Sequence, residues 1–275
     1  MFMWGRLKRC CVLLILLVSV GCVSKPVSAA SYIKALNASQ QKIAKAIVRQ
    51  IQLNSKKVYR TPKISYKDAY AINRAINHDY FWYGYNPVYL ASEASDLVAK
   101  RQKTRYVVSP HVSYESYLIN RQLGAMANTI VKSCVRPGMT PIQKVEAINL
   151  YMCKHFRYYS TDQAHHLADL KKWRGNCGSY SFVFKAACIR AGVRCREITG
   201  TINGSAHAWN GVKFGKQWYH IDVCWNAGGY ENGYGAKTYW LSKRPWRDHT
   251  YLYHEESMLA QIPFLAYYTK DWFYK

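Results

Sequence analysis

A cysteine, a histidine and an aspartate stand 30 and then 15 residues apart in this 275-residue chain: Cys177, His207 and Asp222. Each lies in a short, distinctive segment: Gly175-Asn176-Cys177-Gly178-Ser179-Tyr180, Ala206-His207-Ala208-Trp209-Asn210 and Trp218-Tyr219-His220-Ile221-Asp222. A thiol attacks carbonyls only as thiolate, so a reactive cysteine needs a neighbouring base, and the base needs a group that fixes its orientation. These three residue types in one place would perform acyl transfer through a thioester. Because such trios arise on unrelated folds and are recognised by geometry, the elements that carry them decide the reading.

Residues 179–191 put Val183, Ala186, Ala187 and Arg190 at helical spacing, and Gly192 supplies a stop. Asn176 is a suitable N-cap, which places Cys177 in the first turn, where the helix dipole and unpaired N–H groups favour a thiolate. Gly175 and Gly178 leave room for a substrate carbonyl to approach the backbone. Asn176 and Gly178 are therefore candidates for the oxyanion-binding region, along with Trp173 and Trp209 as nearby polar-edged side chains.

Arg196 to Ile202, Ser205 to Phe214 and Gln217 to Trp225 read as strands. Asn203-Gly204 suits a type I′ turn and Gly215-Lys216 a type II′ turn. A two-residue second hairpin pairs Phe214 with Gln217, Trp209 with Asp222 and His207 with Cys224. His207 and Asp222 then share one face as diagonal neighbours, roughly 7–8 Å apart. The first hairpin sets Gly200 opposite His207. A one-residue slip in the second would send Asp222 to the other face.

A helix-borne cysteine followed by strand-borne histidine and aspartate resembles the transglutaminase-like superfamily, a papain-like cysteine-enzyme fold. The matching stretch runs from about Thr140 to Leu241, centred on GNCGSYSFVFKAACIRAGVRCREITG, HAWNGV and WYHIDVCW. The resemblance implies an α+β core in which the cysteine helix packs on an antiparallel sheet. It also implies that Cys177 is the nucleophile, His207 the general base and then acid, and Asp222 the orienting carboxylate. Many relatives carry Thr-Trp or a proline after the aspartate, whereas this chain has Cys224-Trp225, which sets a second thiol near the site. The family's further oxyanion donor comes from an upstream side chain, for which Trp173, Tyr158 and Tyr159 are candidates.

His220 precedes Asp222 by two residues and reads as a wall residue rather than a partner. His165-His166 and the Cys153/His155 pair lack metal-ligand spacing, so we expect no zinc site and no cofactor.

Residues 1–30 read as a targeting segment, with Arg6, Lys8 and Arg9 ahead of an apolar run from Cys11 to Val20. That run is shorter than the ~20 residues of a membrane-spanning helix. Val18-Ser19-Val20-Gly21-Cys22 resembles a lipobox with Cys22 as the lipidated residue, and ordinary cleavage near Val27 to Ala30 is the alternative. Either route exports the chain, to the outer face of the cytoplasmic membrane as a lipoprotein or to the wall and medium. The net charge is +24, and removal of residues 1–21 leaves +21. So one-sided a charge points to an anionic partner, such as wall polymers or a membrane surface. Export and the lack of a nucleic-acid-binding module argue against nucleic acid. With Cys177 free, five cysteines remain in residues 31–275, an odd number, and Cys153 and Cys188 read as small buried hydrophobes.

The organisation expected is a targeting segment (1–30), a mostly helical extension (31–112) and a catalytic domain (113–275), acting as a monomer. In the extension, 32–53 and 65–78 read as amphipathic helices, 80–90 as an aromatic, turn-rich block and 104–109 as a strand. Helices from 113 to 134 and from Pro141, the latter opened by a Thr140/Gln143 capping box, precede the cysteine helix. Ala227 to Ala236 reads as a glycine-rich surface loop, 238–242 as a further strand, and Trp246 to Lys275 as an aromatic tail packed on the domain. The function expected is an exported thiol peptidase or amidase acting on protein or cell-wall peptides. A protein-crosslinking transglutaminase and a non-catalytic basic surface module on the same scaffold are the alternatives.

Overall fold

The structure is a computed structural model and describes residues 31–80, 88–161 and 166–254. Cys22 and the rest of the targeting segment therefore lie outside the described residues, as do 81–87 of the aromatic block and 255–275 of the tail.

The N-terminal part opens with α1 (Tyr32–Ala35) and α2 (Ala38–Gln52). One helix was expected over 32–53. The chain breaks at Leu36, which is extended, because Asn37 and Gln40 form a capping box that starts a new helix. There follow β1 (Tyr59–Arg60), α3 (Tyr66–Tyr80), β2 (Ala91–Ser92), α4 (Asp96–Arg101) and β3 (Tyr106–Val108), with the strands in the order β1-β3-β2. Ile43, Ile47 and Ile51 of α2 meet Ile72 and Ile76 of α3 in one apolar core. Asp79 ties the start of α1 down, accepting from Ser31 Oγ (2.7 Å) and from the N–H groups of Tyr32 (3.0 Å) and Ile33 (3.1 Å).

The long α5 (Pro110–Cys134) connects this core to a second one. Tyr117 belongs to the first, while Ile119, Leu123, Met126 and Ile130 belong to the second. Next come α6 (Pro141–His155), which starts with the expected Thr140/Gln143 capping box, then β4 (Arg157–Tyr158), α7 (Leu167–Lys171) and β5 (Arg174–Gly175). α8 (Cys177–Arg190) is buried on nearly every side, with Ser179, Ser181 and Lys185 enclosed along with its apolar residues. Cys153 and Cys188 are buried in the same core, as expected of small hydrophobes.

Three hairpin strands follow: β6 (Arg194–Ile202), β7 (Ser205–Phe214) and β8 (Gln217–Ile221). Asn203 and Gly204 both have positive φ (47° and 81°), the signature of a type I′ turn, and Gly215 (57°) opens the second turn. Gly200 pairs with His207, and Phe214 with Gln217 through Asn210 with Ile221, so the register is the one the turns predict. The sheet order is β8-β7-β6-β9, with β9 (His249–His254) antiparallel to β6 and a bulge beside Thr199/Gly200.

Two expectations fail after Asp222. The strand expected to reach Trp225 ends at Ile221, and α9 (Val223–Glu231) takes over, so His207 does not pair with Cys224 and the glycine-rich run is half helix. The cause is Asp222 itself, whose carboxylate accepts from the Trp225 N–H and caps the new helix. Residues 238–242 form no strand, only a bridge between Ser242 and His220.

Candidate active site

Cys177 is the first residue of α8. Asn176 caps that helix through Oδ1, which accepts from the Ser179 N–H (3.2 Å). The parallel pair β4 and β5 leads into it, with Tyr158 beside Gly175, two residues before the cysteine. His207 is on β7 and Asp222 at the β8–α9 junction, and both are buried. His207 Nε2 donates to Asp222 Oδ2 at 2.6 Å, which leaves Nδ1 as the ring nitrogen for the thiol. The Cys177 sulfur hydrogen-bonds to His207 and accepts from the backbone N–H groups of Gly178 and Ala208. The structure thus brings together the three residues that the sequence singled out.

The electrostatics follow from these contacts. Burial pushes the Cys177 thiol up, but the His207 hydrogen bond and charge and the two N–H groups outweigh it, and the net shift is downward. Burial lowers His207, yet its bonds to Asp222 and Cys177 win and raise it to about 9. Burial raises Asp222, and its two imidazole partners and the Trp225 N–H bring it below the ordinary carboxylate value. A lowered thiol against a raised imidazole favours proton transfer from sulfur to ring. Burial moves Cys134 the other way, to about 11, and Cys153 to about 12, and it sets Cys188 and Cys224 well above the usual range.

Asp222 has a partner that the sequence did not reveal. His249, first residue of β9 and fully buried at its side chain, donates Nε2 to Asp222 Oδ2 at 3.0 Å. No spacing signal marks it, because it lies 27 residues further on at the start of a tail. His220 is the wall residue expected, its Nδ1 accepting from Trp209 Nε1 at 2.9 Å. Among the described residues, His207, Asp222 and His249 also offer three metal-ligand atoms within 4.8 Å of one another. Each of the three is already spent in an imidazole–carboxylate hydrogen bond.

The oxyanion candidates separate. Trp209 is buried and its only donor is taken by His220, so it does not face a substrate. The Asn176 side chain is committed to the cap, with Nδ2 bound to the Thr161 carbonyl at 3.3 Å. Gly178 offers its N–H beside the sulfur. Trp173 packs against the core with φ at +56°, a conformation costly for an aromatic residue, and its carbonyl accepts from Arg157 N–H. Tyr158 is exposed, and the charges of Cys224 and Cys177, after burial, raise its hydroxyl, which puts it within electrostatic reach of the thiol. Tyr159 instead carries the Arg174 guanidinium 3.8 Å over its ring.

Gly175 does not leave space for a substrate. A Cβ there would lie 2.4 Å from both Ser179 Cβ and Oγ, so the absent side chain is what lets the cap close. Gly175→Ala will therefore destabilise the fold by about 1–3 kcal/mol. Thermal melts check this, and the double change Gly175→Ala with Ser179→Gly should restore much of the loss.

Residues 128–223 match the family described as the transglutaminase-like superfamily. Human kyphoscoliosis peptidase (Homo sapiens) is 27% identical over 118 residues, which is 36% of this chain and 18% of that protein. The chain thus matches under a fifth of that relative's length. Among solved structures, a TGase aligns with a TM-score of 0.33 at 16% identity, covering 62% of this chain and 52% of that one. The periplasmic domain of TgpA from Pseudomonas aeruginosa aligns at 0.26 with 19% identity, covering 44% and 56%. The segment that matches the transglutaminase-like superfamily is thus the one that holds Cys177, His207 and Asp222.

Proposed function

We propose that this protein is an exported cysteine peptidase or amidase. The observation that carries the reading is the Cys177–His207–Asp222 line, with the thiol shifted down and the imidazole shifted up. The Cys177 thiolate adds to an amide carbonyl, and the oxygen that becomes anionic lies toward the N-terminus of α8 and the Gly178 N–H, with the Tyr158 hydroxyl as the side-chain donor. The carbon–nitrogen bond then breaks, the His207 imidazolium gives its proton to the departing amine, and a thioester remains on Cys177. Water attacks the thioester, neutral His207 takes its proton, and the acid leaves as the thiolate is restored. Asp222 holds the ring in one tautomer throughout.

The matched relative bears the name peptidase, which supports hydrolysis over amine transfer. Exposed Tyr158, within electrostatic reach of the thiol, suits a peptide or protein substrate. The +24 charge supports attachment to anionic wall polymers or lipid head groups. No helix among the described residues is long and apolar enough to cross a membrane, and the reading places export in the 1–30 segment.

The test is incubation with unfolded proteins and wall-peptide mixtures, with and without a biotinylated alkylamine, read by mass spectrometry. New N-termini that vanish in Cys177→Ala are expected. Amine incorporation without new termini would make the protein a transglutaminase. Neither product, with binding to anionic polymer unchanged in Cys177→Ala, would make it a surface-binding module.

A further inference from the structure

The hydrogen-bond line does not stop at Asp222. The Tyr239 hydroxyl donates to Asp248 Oδ2 (2.6 Å), Asp248 Oδ1 faces His249 Nδ1 (2.8 Å), and His249 Nε2 meets the Asp222 Oδ2 that also receives His207 (3.0 and 2.6 Å). Six residues from Cys177 to Tyr239 thus form one continuous chain through the protein. Both ring nitrogens of His249 face carboxylate oxygens, and a carboxylate only accepts. His249 thus bridges the two carboxylates, with one ring nitrogen against each.

We infer that His249, clamped by Asp248 and Tyr239, is a positioning residue of the thiol site, holding Asp222 aimed at His207. This rests on the proposed cysteine-enzyme reading. The geometry excludes a loose contact. The His249 side chain is fully buried, and its ring lies against Trp246 (4.9 Å), Trp209 (5.1 Å), Tyr239 (5.2 Å) and His207 (5.6 Å). The groups facing it are His207 and Trp209 from β7, Asp222 from the β8–α9 junction, Tyr239 and Trp246 from the following segment, and Asp248 beside it. His220 of β8 stands behind Trp209 and Trp246. Asp222 Oδ1 is occupied by the Trp225 N–H, so its orientation toward His207 is set by what Oδ2 receives. With Oδ1 held by the Trp225 N–H, the second imidazole adds a further contact on Oδ2 and stiffens the carboxylate against His207, as outer partners of catalytic histidines do elsewhere.

The experiment is the pH dependence of Cys177 labelling by iodoacetamide, from pH 4 to 10, read at that residue by mass spectrometry. Wild type, His249→Phe, His249→Gln, Asp248→Asn and His207→Ala are compared, with melting temperatures recorded for each. His249→Phe should move the acid limb of Cys177 labelling upward by about one pH unit, the size expected for losing one charge-assisted hydrogen bond. His249→Gln keeps a donor toward Asp222 and should recover at least half of that shift. Asp248→Asn, which removes only the outer anion, should shift the limb in the same direction by less. A purely architectural role would lower the melting temperature and leave the limb of the folded protein where it was. Superimposable profiles for wild type, His249→Phe and Asp248→Asn overturn the inference while leaving the Cys177–His207 pair intact. If His249→Phe does not fold, Asp248→Asn decides: an unshifted limb there overturns it. If wild type and His207→Ala label alike, the cysteine-enzyme reading itself falls.

Discussion

His207→Ala will slow the alkylation of Cys177 at pH 6 by at least about a hundredfold. An ordinary thiol with a pKa of ~8.5 is roughly 0.3% thiolate at that pH. Cys177 is half-buried, and burial alone pushes it higher. What reverses this is first the hydrogen bond and charge of His207, and only then the N–H groups of Ala208 and Gly178. Without the imidazole, the thiol keeps only two backbone donors and the dipole of α8 against desolvation, the largest single influence on it. The measurement is site-resolved labelling by mass spectrometry. Cys153 and Cys188, held high by burial, serve as internal references in both proteins. Equal rates at Cys177 in wild type and variant would show that the pair is a packing contact. The wild-type rate should also lose its assistance above about pH 9, where the imidazolium titrates.

Asp222→Ala will cost about 3–5 kcal/mol of folding stability, the range for removing one member of a buried ionic group. For a protein of this size, that corresponds to a fall in melting temperature of at least roughly 6 °C. The aspartate is fully buried and serves three donors: the His207 and His249 rings on Oδ2, and the α9 cap on Oδ1. Its removal leaves two buried imidazoles and a helix start without an acceptor. The isosteric Asp222→Asn should retain the cap and more of the stability, yet lose turnover by about 10³–10⁴, as expected when a histidine loses its orienting carboxylate.

The pH dependence of stability has a definite sign on each side. Asp222 titrates lower in the folded state, so its contribution is present above the ordinary carboxylate value and is lost as pH falls through the lowered one. His207 titrates higher in the folded state, at about 9 against an ordinary ~6.5. Its contribution is therefore complete below ~6.5 and is lost as pH rises through about 9. Wild type should be most stable between roughly pH 4 and 6.5 with respect to these two groups, and Asp222→Ala should flatten both limbs. Thermal melts across pH check this.

The part of the site that was legible in the sequence is the part encoded locally. Asn176 and Gly192 bracket α8, and two turns with distinct glycine chemistry fix the register of three strands. Gly200 accordingly lies opposite His207, and Phe214 opposite Gln217. The misreadings arose where one residue has two uses. Val223 and Trp225 favour a strand through Asp222, but the aspartate's carboxylate is also an N-cap, and that turns the chain into α9. Gly175 was read as an opening for substrate, whereas its missing Cβ makes room for Ser179, a contact between residues four apart that only the folded turn reveals. Trp209 has the right neighbours to act on a substrate, but β7 directs its indole to His220. His249 was not legible, because nothing within its own segment distinguishes it. Its meaning comes from β9 returning beside β6, 47 residues after β6 begins its turn into β7.

That return has a consequence for how the chain matures. β9 lies on the outside of the sheet, against a strand made long before it, so its docking closes a long loop and comes late in folding. Cys177, His207 and Asp222 have all been synthesised by the time residue 222 leaves the ribosome, yet the ring that steadies the aspartate is still to come. Until β9 docks, Oδ2 of Asp222 has one imidazole rather than two, so the His207–Asp222 pair is assembled first and receives its last support only when that strand has taken its place.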